Sequence, residues 1–190
     1  MARPSGRDIR RAVLDEATSA IQAGGVSGFS YADLADRVGV KAPSLHHHFP
    51  RKDGLVAATA ARYRQAFRAK AEAIEADDPV ARLGHYCELF LEPAIDDVLC
   101  LCAAAVAGWG DLNDEARREV GAFFADETRW IEGQLRQARD EGGIRADVDP
   151  ADLATSLIAA LEGSLLLART GGDTAPARTV ANTLLRLAAA

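Results

Sequence analysis

The stretch from residue 30 to residue 52 constrains the fold of this chain more than any other. It opens with Ser30 and Asp33, a Ser-x-x-Asp pattern that resembles the capping box of a helix N-terminus. Gly39 suits the left-handed conformation that ends a helix at a sharp turn. Pro43 is typical of the first turn of a new helix, because its missing N–H is not needed there. The stretch therefore predicts two short helices joined by a tight turn.

Apolar and polar positions on the second predicted helix divide into two faces. Leu45 and Phe49 lie four residues apart and are predicted to anchor this helix inward. The polar side chains left over include Ser44 and the run His46-His47-His48, and several of them must face outward. A helix-turn-helix of this kind places its second helix in the DNA major groove. A buried helical hairpin is the alternative, but it has no need of the turn glycine, the N-terminal proline and the basic exit together.

The whole 23-residue stretch resembles the signature of the tetracycline-repressor (TetR) family of one-component transcription regulators. The matching features are the capped start, Leu34-Ala35, Val38-Gly39-Val40, Ser44-Leu45, the aromatic-type position His46, His48-Phe49, and Lys52 followed by Leu55. The resemblance implies an all-α protein with a three-helix helix-turn-helix DNA-binding head. A helical ligand-binding and dimerisation body follows, giving about nine helices. His46 is a departure, since the family usually has Tyr there; imidazole still donates to phosphate, but the contact becomes sensitive to pH.

Seven positions match the residues that the family uses to contact DNA. They are Tyr31, Lys41, Ala42, Ser44, His46, His47 and Lys52. Lys41 suits a phosphate or a guanine edge, Ser44 a phosphate or a base, and the Ala42 methyl an apolar contact with thymine. The predicted domains are residues 1–51, which bind DNA, and residues 52–190, which bind the effector and dimerise.

The charge distribution supports a head that lies on a polyanion. Residues 1–70 carry 12 Lys/Arg and 6 Asp/Glu, whereas residues 71–190 carry 10 Lys/Arg and 22 Asp/Glu. The net charge of −6 therefore hides a basic N-terminal part and an acidic remainder. Such a split fits a protein that places one end on nucleic acid.

Helix start and stop signals divide the rest of the chain into further helices. Asp78-Pro79, Asn113 and Asp149-Pro150 are strong helix starts, and Pro93 is predicted to break a helix. The predicted helices span residues 7–23, 52–76, 79–92, 96–109, 113–141, 150–170 and 174–190. The one over 96–109 is apolar nearly all round, so we expect it to be deeply buried. No segment shows a convincing strand pattern.

The last two predicted helices are richer in leucine than one small core requires. Small residues such as Ala159, Ala160 and Gly163 would let another helix approach closely. We interpret the pair as a homodimer interface in which two helices from each chain form a four-helix bundle, as the resemblance also implies. An ordinary intrachain core is the alternative. Two-fold symmetry suits a helix-turn-helix protein, because two recognition helices then read a palindromic operator in double-stranded DNA.

The resemblance also implies a pocket for a small-molecule effector among the helices of the body. The candidate lining residues are Tyr86, Cys87, Phe90, Cys102, Trp109, Phe123 and Trp130. Few buried charges are evident, which favours an apolar or neutral effector. An aromatic stripe of this kind is more often part of an ordinary core, which stays the alternative.

Two alternative modes of control stay open on the same fold. Cys100 and Cys102 precede Phe123-Phe124 in a pattern that resembles a family subgroup whose cysteine senses electrophiles or oxidants. A thiol in the first turn of a helix has a lowered pKa and is more reactive. The competing interpretation is that Cys87, Cys100 and Cys102 are small buried hydrophobes. A DNA-binding dimer controlled by a protein partner is the other alternative.

Several classes of protein and site are not indicated. The three consecutive histidines project about 100° apart on a helix, so they cannot share one metal ion, and no metal or cofactor is predicted. No phosphate-binding glycine loop, His-Glu-x-x-His or Cys-x-x-Cys motif occurs, which argues against an enzyme. No 18-residue apolar run and no signal peptide are present, so we expect no membrane partner. The odd number of cysteines suits the reducing cytoplasm.

Overall fold

The computed structural model describes residues 6–173 and 175–190. Its helices are α1 (Gly6–Gly24), α2 (Tyr31–Val38), α3 (Ala42–His48), α4 (Lys52–Glu72), α5 (Pro79–Ile95), α6 (Leu101–Val106), α7 (Asp114–Asp140), α8 (Pro150–Gly171) and α9 (Ala175–Ala188), with a 3₁₀ turn at Trp109–Asp111. Over these described ranges the only β pairing is an isolated bridge between Ile144 and Ala189. The all-α prediction is confirmed. The predicted start of the last helix, Thr174, lies outside the described residues.

The chain forms two compact units that interleave along the sequence. Unit 1 comprises Met1–Gln65 and Leu101–Gly121, and unit 2 comprises Ala66–Cys100 and Ala122–Ala190. Helices α4 and α7 therefore each contribute residues to both units. The predicted boundary after residue 51 is a functional boundary, and it stays a prediction.

Unit 1 is built on α1, which packs against α2, α3 and α6. The buried face of α1 carries the residues Val13, Leu14, Ala17, Ala20 and Ile21, which recur at helical spacing. Leu34 from α2 and Leu45 from α3 are both fully buried and complete this core. A single leucine thus anchors the seven-residue helix α3.

Unit 2 packs α5 against both α8 and α9. Its helix starts follow the predicted capping signals. The Asp78 carboxylate accepts from the Ala81 N–H at 2.8 Å, and the Asp149 carboxylate accepts from the Ala151 N–H at 2.7 Å. Gly172 ends α8 in the left-handed conformation with φ of 68°. The capping signals thus correctly predicted the start of α5 and both ends of α8.

The predicted helix over 96–109 is wrong in extent, and its predicted burial holds for Leu101, Cys102, Ala104 and Ala105 but not for the whole segment. Asp97 adopts φ of 53°, which a right-handed helix does not contain, and the Val98 N–H donates back to the Pro93 carbonyl at 3.1 Å. The chain therefore turns before the six-residue helix α6. Val106 and Trp109, predicted to be buried, are 43% and 44% exposed.

Two other predicted boundaries also differ from the structure. Pro93 lies inside α5, which continues to Ile95. The fixed φ of proline is compatible with a helix, so a proline in the last turn costs one hydrogen bond without ending the helix at once. Helix α4 ends at Glu72 rather than near residue 76.

Helix α8 is long and rich in apolar residues. By length and composition alone it is long and apolar enough to cross a membrane, and only a third of its most apolar 18-residue window is buried. One such helix is weak evidence for a membrane span, because core helices of soluble proteins have the same composition. Leu166 and Leu167 on α8 are 54% and 61% exposed. These two leucines are therefore not covered by any of the residues that the structure describes.

Candidate functional site

The turn between α2 and α3 is held by the local interactions that the sequence predicted. The Ser30 hydroxyl accepts from the Asp33 N–H at 3.2 Å, and the Asp33 carboxylate accepts from the Ser30 N–H at 2.8 Å. These bonds from Ser30 hold the pKa of Asp33 below its ordinary value. Gly39 ends α2 with φ of 72°, and Pro43 lies in the first turn of α3. The capping box and the turn glycine are confirmed.

Helix α3 presents a polar face away from its buried anchor. Lys41, His46 and His47 are exposed, and Ala42 and Ser44 are half-buried. Lys41 occupies the N-cap position, but its side chain makes no capping hydrogen bond. An ammonium has no acceptor and cannot cap N–H groups, and the exposed side chain is open to solvent at the helix start. Five of the seven predicted DNA-contact residues lie on this short segment.

Tyr31 joins this face through a contact between rings. Its ring centroid lies 4.6 Å from that of His46. Its hydroxyl donates to the Phe49 carbonyl at 2.8 Å, which ties the start of α2 to the end of α3. Burial, followed by the charge of Asp53, raises the pKa of Tyr31 to about 12. Tyr31 thus positions α3 in addition to its predicted contact with DNA.

Lys52 also has a role inside the protein that the sequence did not reveal. Its ammonium donates to the Phe29 carbonyl at 2.5 Å and lies 4.2 Å above the Phe29 ring centroid. Burial lowers the pKa of Lys52, and the carboxylates of Asp111 and Asp33 oppose this shift. The side chain holds the loop before α2. An ammonium has three donors, so Lys52 can bond a phosphate in addition to the Phe29 carbonyl. Its contact with DNA stays a prediction.

An aromatic cluster of unit 2 joins α4, α5 and α7. The Phe67 ring meets those of Tyr86, Phe90 and Phe123 edge to face at 5.5–5.9 Å. Trp130 stacks on Tyr86 with 4.7 Å between the ring centroids. The predicted effector-site residues Tyr86, Phe90, Phe123 and Trp130 are therefore brought together. Phe67 belongs to the same cluster and was missed, although its spacing on α4 marked it as inward.

The other predicted effector-site residues have different surroundings. Cys87 is buried in unit 2, whereas Cys102 and Trp109 belong to unit 1. Trp109 is exposed, and the Arg117 guanidinium lies 5.7 Å from its ring centroid. The structure thus does not unite the seven predicted residues in one unit.

Charged groups lie within the aromatic cluster of unit 2, contrary to the expectation of few buried charges. Glu127 is fully buried, and its Oε2 accepts from the Tyr86 hydroxyl at 3.0 Å. Arg68 Nε lies 3.9 Å from Glu127 Oε1. Burial raises the pKa of Glu127, while the Tyr86 hydrogen bond and the Arg68 charge oppose that rise. Helical spacing could have predicted the burial of Glu127, because this residue lies four positions from both Phe123 and Ile131, which are buried.

Glu162 on α8 is a second shielded carboxyl group. Both of its carboxylate oxygens are inaccessible to solvent. Burial raises its pKa to about 10, and the neighbouring Cys100 thiol adds to the shift. Glu162 is therefore protonated and neutral at physiological pH.

The cysteines are closed off from solvent. Cys87, Cys100 and Cys102 are all free thiols and all buried. Burial, followed by the charge of Glu88, raises the pKa of Cys87 to about 12, which opposes thiolate formation. Cys102 lies in the first turn of α6, but that helix has only six residues. These surroundings fit the interpretation of small buried hydrophobes. Across the described residues no cluster of three metal-binding side chains occurs.

Comparison with known proteins decides the family. The family model described as "Bacterial regulatory proteins, tetR family" matches residues 13–59. The model described as "Tetracyclin repressor-like, C-terminal domain" matches residues 79–184. The chain belongs to the TetR family. It is a DNA-binding transcriptional regulator, as the resemblance of residues 30–52 predicted.

Individual TetR-family relatives match over nearly the whole chain. The HTH-type transcriptional repressor ComR of Escherichia coli K12 is 29% identical over 94% of this chain and 88% of its own length. The HTH-type transcriptional repressor DhaR of Mycobacterium sp. GP1 is 24% identical over 83% and 81%. A TetR-family regulator from Agrobacterium tumefaciens has a crystal structure that superimposes with a TM-score of 0.93. It is 28% identical, over 98% of this chain and all of that one.

Proposed function

We propose that this TetR-family regulator is a homodimeric repressor that binds a palindromic operator through α3 and leaves it when a small molecule occupies unit 2. The observation that carries the proposal is the capped α2–turn–α3 segment, in which Leu45 is buried and the polar side chains of α3 face outward. The repressor assignment follows the printed descriptions of ComR and DhaR. By the same analogy with these repressors, we propose that the protein acts in the cytoplasm and is not an enzyme.

Each predicted DNA-contact residue has its own role in this proposal. Lys41 at the helix start reaches a phosphate or a guanine edge, and Ser44 bonds a phosphate or a base. His46 and His47 are exposed and donate to backbone phosphates, with the Ala42 methyl against a thymine methyl. Tyr31 and Lys52 hold the ends of the segment and contribute backbone contacts. Residues 1–51 then form the DNA-binding domain, and residues 52–190 the effector and dimerisation domain.

The exposed leucines support a second copy of the chain as the dimer partner. Leu166 and Leu167 on α8 and Leu187 on α9 are 54–63% exposed, which is costly for an unpartnered apolar surface. Helices α8 and α9 pack together within one chain, so the proposal places their exposed leucines on one dimerisation surface. Two such faces related by a two-fold axis form a four-helix bundle. Leu167→Glu is expected to yield monomers in sedimentation-velocity runs, while Ala69→Glu on an exposed face of α4 leaves dimers intact.

The aromatic cluster around Tyr86 and Trp130 is the proposed effector site. Stacked and edge-to-face rings provide the apolar contacts typical of small-molecule sites. Glu127 and Arg68 add a charged pair, so the effector carries a polar group rather than being purely apolar. The effector stabilises a form of the dimer whose recognition helices do not match successive major grooves, which is a population shift. Control by a protein partner without a ligand is the alternative.

Selection from random DNA duplexes tests the proposed function. Bound duplexes recovered with the purified protein should converge on a palindrome with half-sites about one helical turn apart. Affinity for that palindrome should fall steeply with salt, because phosphate contacts release counterions. The absence of any enriched sequence over a range of salt concentrations would contradict the proposal.

A further inference from the structure

Four arginines from two helices of unit 1 surround one groove. Arg7, Arg10 and Arg11 come from α1, and Arg62 comes from α4, with the aliphatic Leu14 at the base. The groove has a volume of about 230 Å³. This is below the roughly 300–1,000 Å³ of typical small-molecule pockets. Its lining is suited to an anion rather than to a drug-sized ligand.

The carboxylates next to the groove leave it with excess positive charge. Asp8 lies 3.8 Å from Arg11, and Asp15 forms an ion pair with Arg62. Four guanidinium groups thus face two carboxylates. The Arg11 and Arg62 side chains keep 72% and 40% of their surface exposed, so both remain accessible to a further anion.

The groove is continuous with the end of the recognition helix. Arg10 also lines a neighbouring groove with His48, Phe49 and Arg51, which further contains Asp53 and Glu115. The Arg10 guanidinium lies 5.1 Å from the Phe49 ring centroid. A Cβ atom added at Gly6 would lie 3.5 Å from the His48 ring, so α1 begins beside the end of α3. Arg10 therefore links the end of α3 to the arginine groove.

We infer that this arginine groove binds the sugar–phosphate backbone of DNA beyond the bases contacted by α3. Arg7 and Arg11 lie four residues apart on one face of α1, about 6 Å along the helix axis. This separation is on the scale of neighbouring phosphates along one strand, so the pair suits two adjacent phosphates. Guanidinium groups bind phosphate oxygens through a planar fork of donors. The groove lengthens the footprint without adding sequence information. The inference rests on the proposed operator binding.

The experiment compares two double variants of equal charge change. Arg7→Gln with Arg11→Gln removes two groove cations, and Arg129→Gln with Arg136→Gln removes two exposed cations of α7. The latter pair has side chains 70% and 63% exposed. Each protein is titrated by fluorescence anisotropy against the selected operator at several salt concentrations. One duplex ends at the palindrome, and the other extends about one helical turn further on each side.

The affinity of the groove variant for DNA should depend less steeply on salt than that of the wild type, and only on the long duplex. Each lost phosphate contact lowers the slope of log affinity against log salt by about 0.9, so two per protomer lower it by about 3.6 for a dimer. The affinity ratio of wild type to groove variant would then fall by about a hundredfold between 50 and 200 mM salt. The α7 variant should retain the wild-type slope, and all three proteins should select the same palindrome.

Two results would overturn the inference while leaving the proposed function intact. One is a wild-type slope for the groove variant on the long duplex. The other is stabilisation of the wild type by inorganic pyrophosphate that the groove variant loses while its DNA slope is unchanged, which would indicate a small-anion site. If the wild type enriched no operator at all, the proposed function would fail together with this inference.

Discussion

The α2–α3 segment of unit 1 and the aromatic cluster of unit 2 are stabilised in different ways. The segment relies on neighbours in sequence: the capping box of Ser30 and Asp33, the left-handed Gly39 and one buried anchor, Leu45. The cluster relies on residues far apart in sequence, such as Tyr86 and Glu127, which share a hydrogen bond. A recognition surface of local origin tolerates changes to its polar face, whereas the coupled cluster of unit 2 responds as a whole. This difference suits the proposed division of labour between a DNA-contacting segment and an effector site.

Leu45→Ala should have the largest effect of the changes considered. It removes the fully buried anchor of α3 and leaves a cavity. Large-to-small changes of this kind cost about 2–5 kcal/mol in the free energy of unfolding. Urea unfolding monitored by circular dichroism measures the loss. His47→Ala on the exposed side of the same helix is the control, with an expected change within about 0.5 kcal/mol. Equal losses for both variants would contradict the division of α3 into two faces.

Tyr86→Phe tests the coupling within unit 2. The variant keeps the ring packing but leaves the buried Glu127 Oε2 without its donor. An unsatisfied buried acceptor costs about 1–3 kcal/mol. The double variant Tyr86→Phe with Glu127→Gln should recover part of this loss, because a neutral amide is less costly to bury than a carboxylate. Additive losses in the four unfolding curves would show that the two side chains act independently.

Glu162→Gln should change how stability depends on pH. The pKa of Glu162 is about 10 in the folded chain and about 4.3 in an unfolded one. Because the folded state holds this proton more tightly, the stabilising contribution is complete below about pH 4.3 and is lost as the pH rises towards 10. The variant should lack this part of the decline and exceed the wild type by more than about 1 kcal/mol near pH 9.

Thermal unfolding across pH provides the measurement for Glu162. Glu75→Gln changes an exposed carboxyl group and should leave the wild-type pH profile unaltered. A profile for Glu162→Gln that runs parallel to that of the wild type would show that the folded chain does not hold this proton.

Ser30→Ala should have the smallest effect of the four. It removes the hydroxyl that accepts from the Asp33 N–H at the start of α2. Loss of an N-cap side chain costs about 0.5–2 kcal/mol. Ser27→Ala, at an exposed position outside the cap, should be neutral in the same denaturant series. An equal loss in the free energy of unfolding for both variants would show that the cap does not stabilise the α2–α3 segment.

The sequence predicted the parts of the molecule that depend on neighbouring residues. The cap at Ser30, the left-handed Gly39, the helix start at Asp149 and the inward Leu45 are all local and all present. Spacing also placed Tyr86 and Phe123 on buried faces. These features can be predicted from the sequence because caps and left-handed turns each strongly favour a few residue types.

Features that depend on distant partners were not predicted. Glu127 is buried because Tyr86 and Arg68, from other helices, meet its carboxylate. The Lys52 ammonium turns towards Phe29, 23 residues earlier in the chain. Trp109 lies in a 3₁₀ turn after the end of α6, and the Arg117 guanidinium lies 5.7 Å from its exposed ring. In each case a tertiary contact overrides what the local pattern favours.

The most direct test of the central claim is a parallel selection from random duplexes with the wild type and with Lys41→Ala, Ser44→Ala, His47→Ala combined. These three side chains lie on the polar face of α3, apart from the buried anchor, so the variant should fold normally. The account predicts that the wild type enriches one palindrome and that the variant enriches none at the same salt concentration. Enrichment of the same palindrome by both proteins, with equal affinity, would contradict the claim that α3 reads the operator.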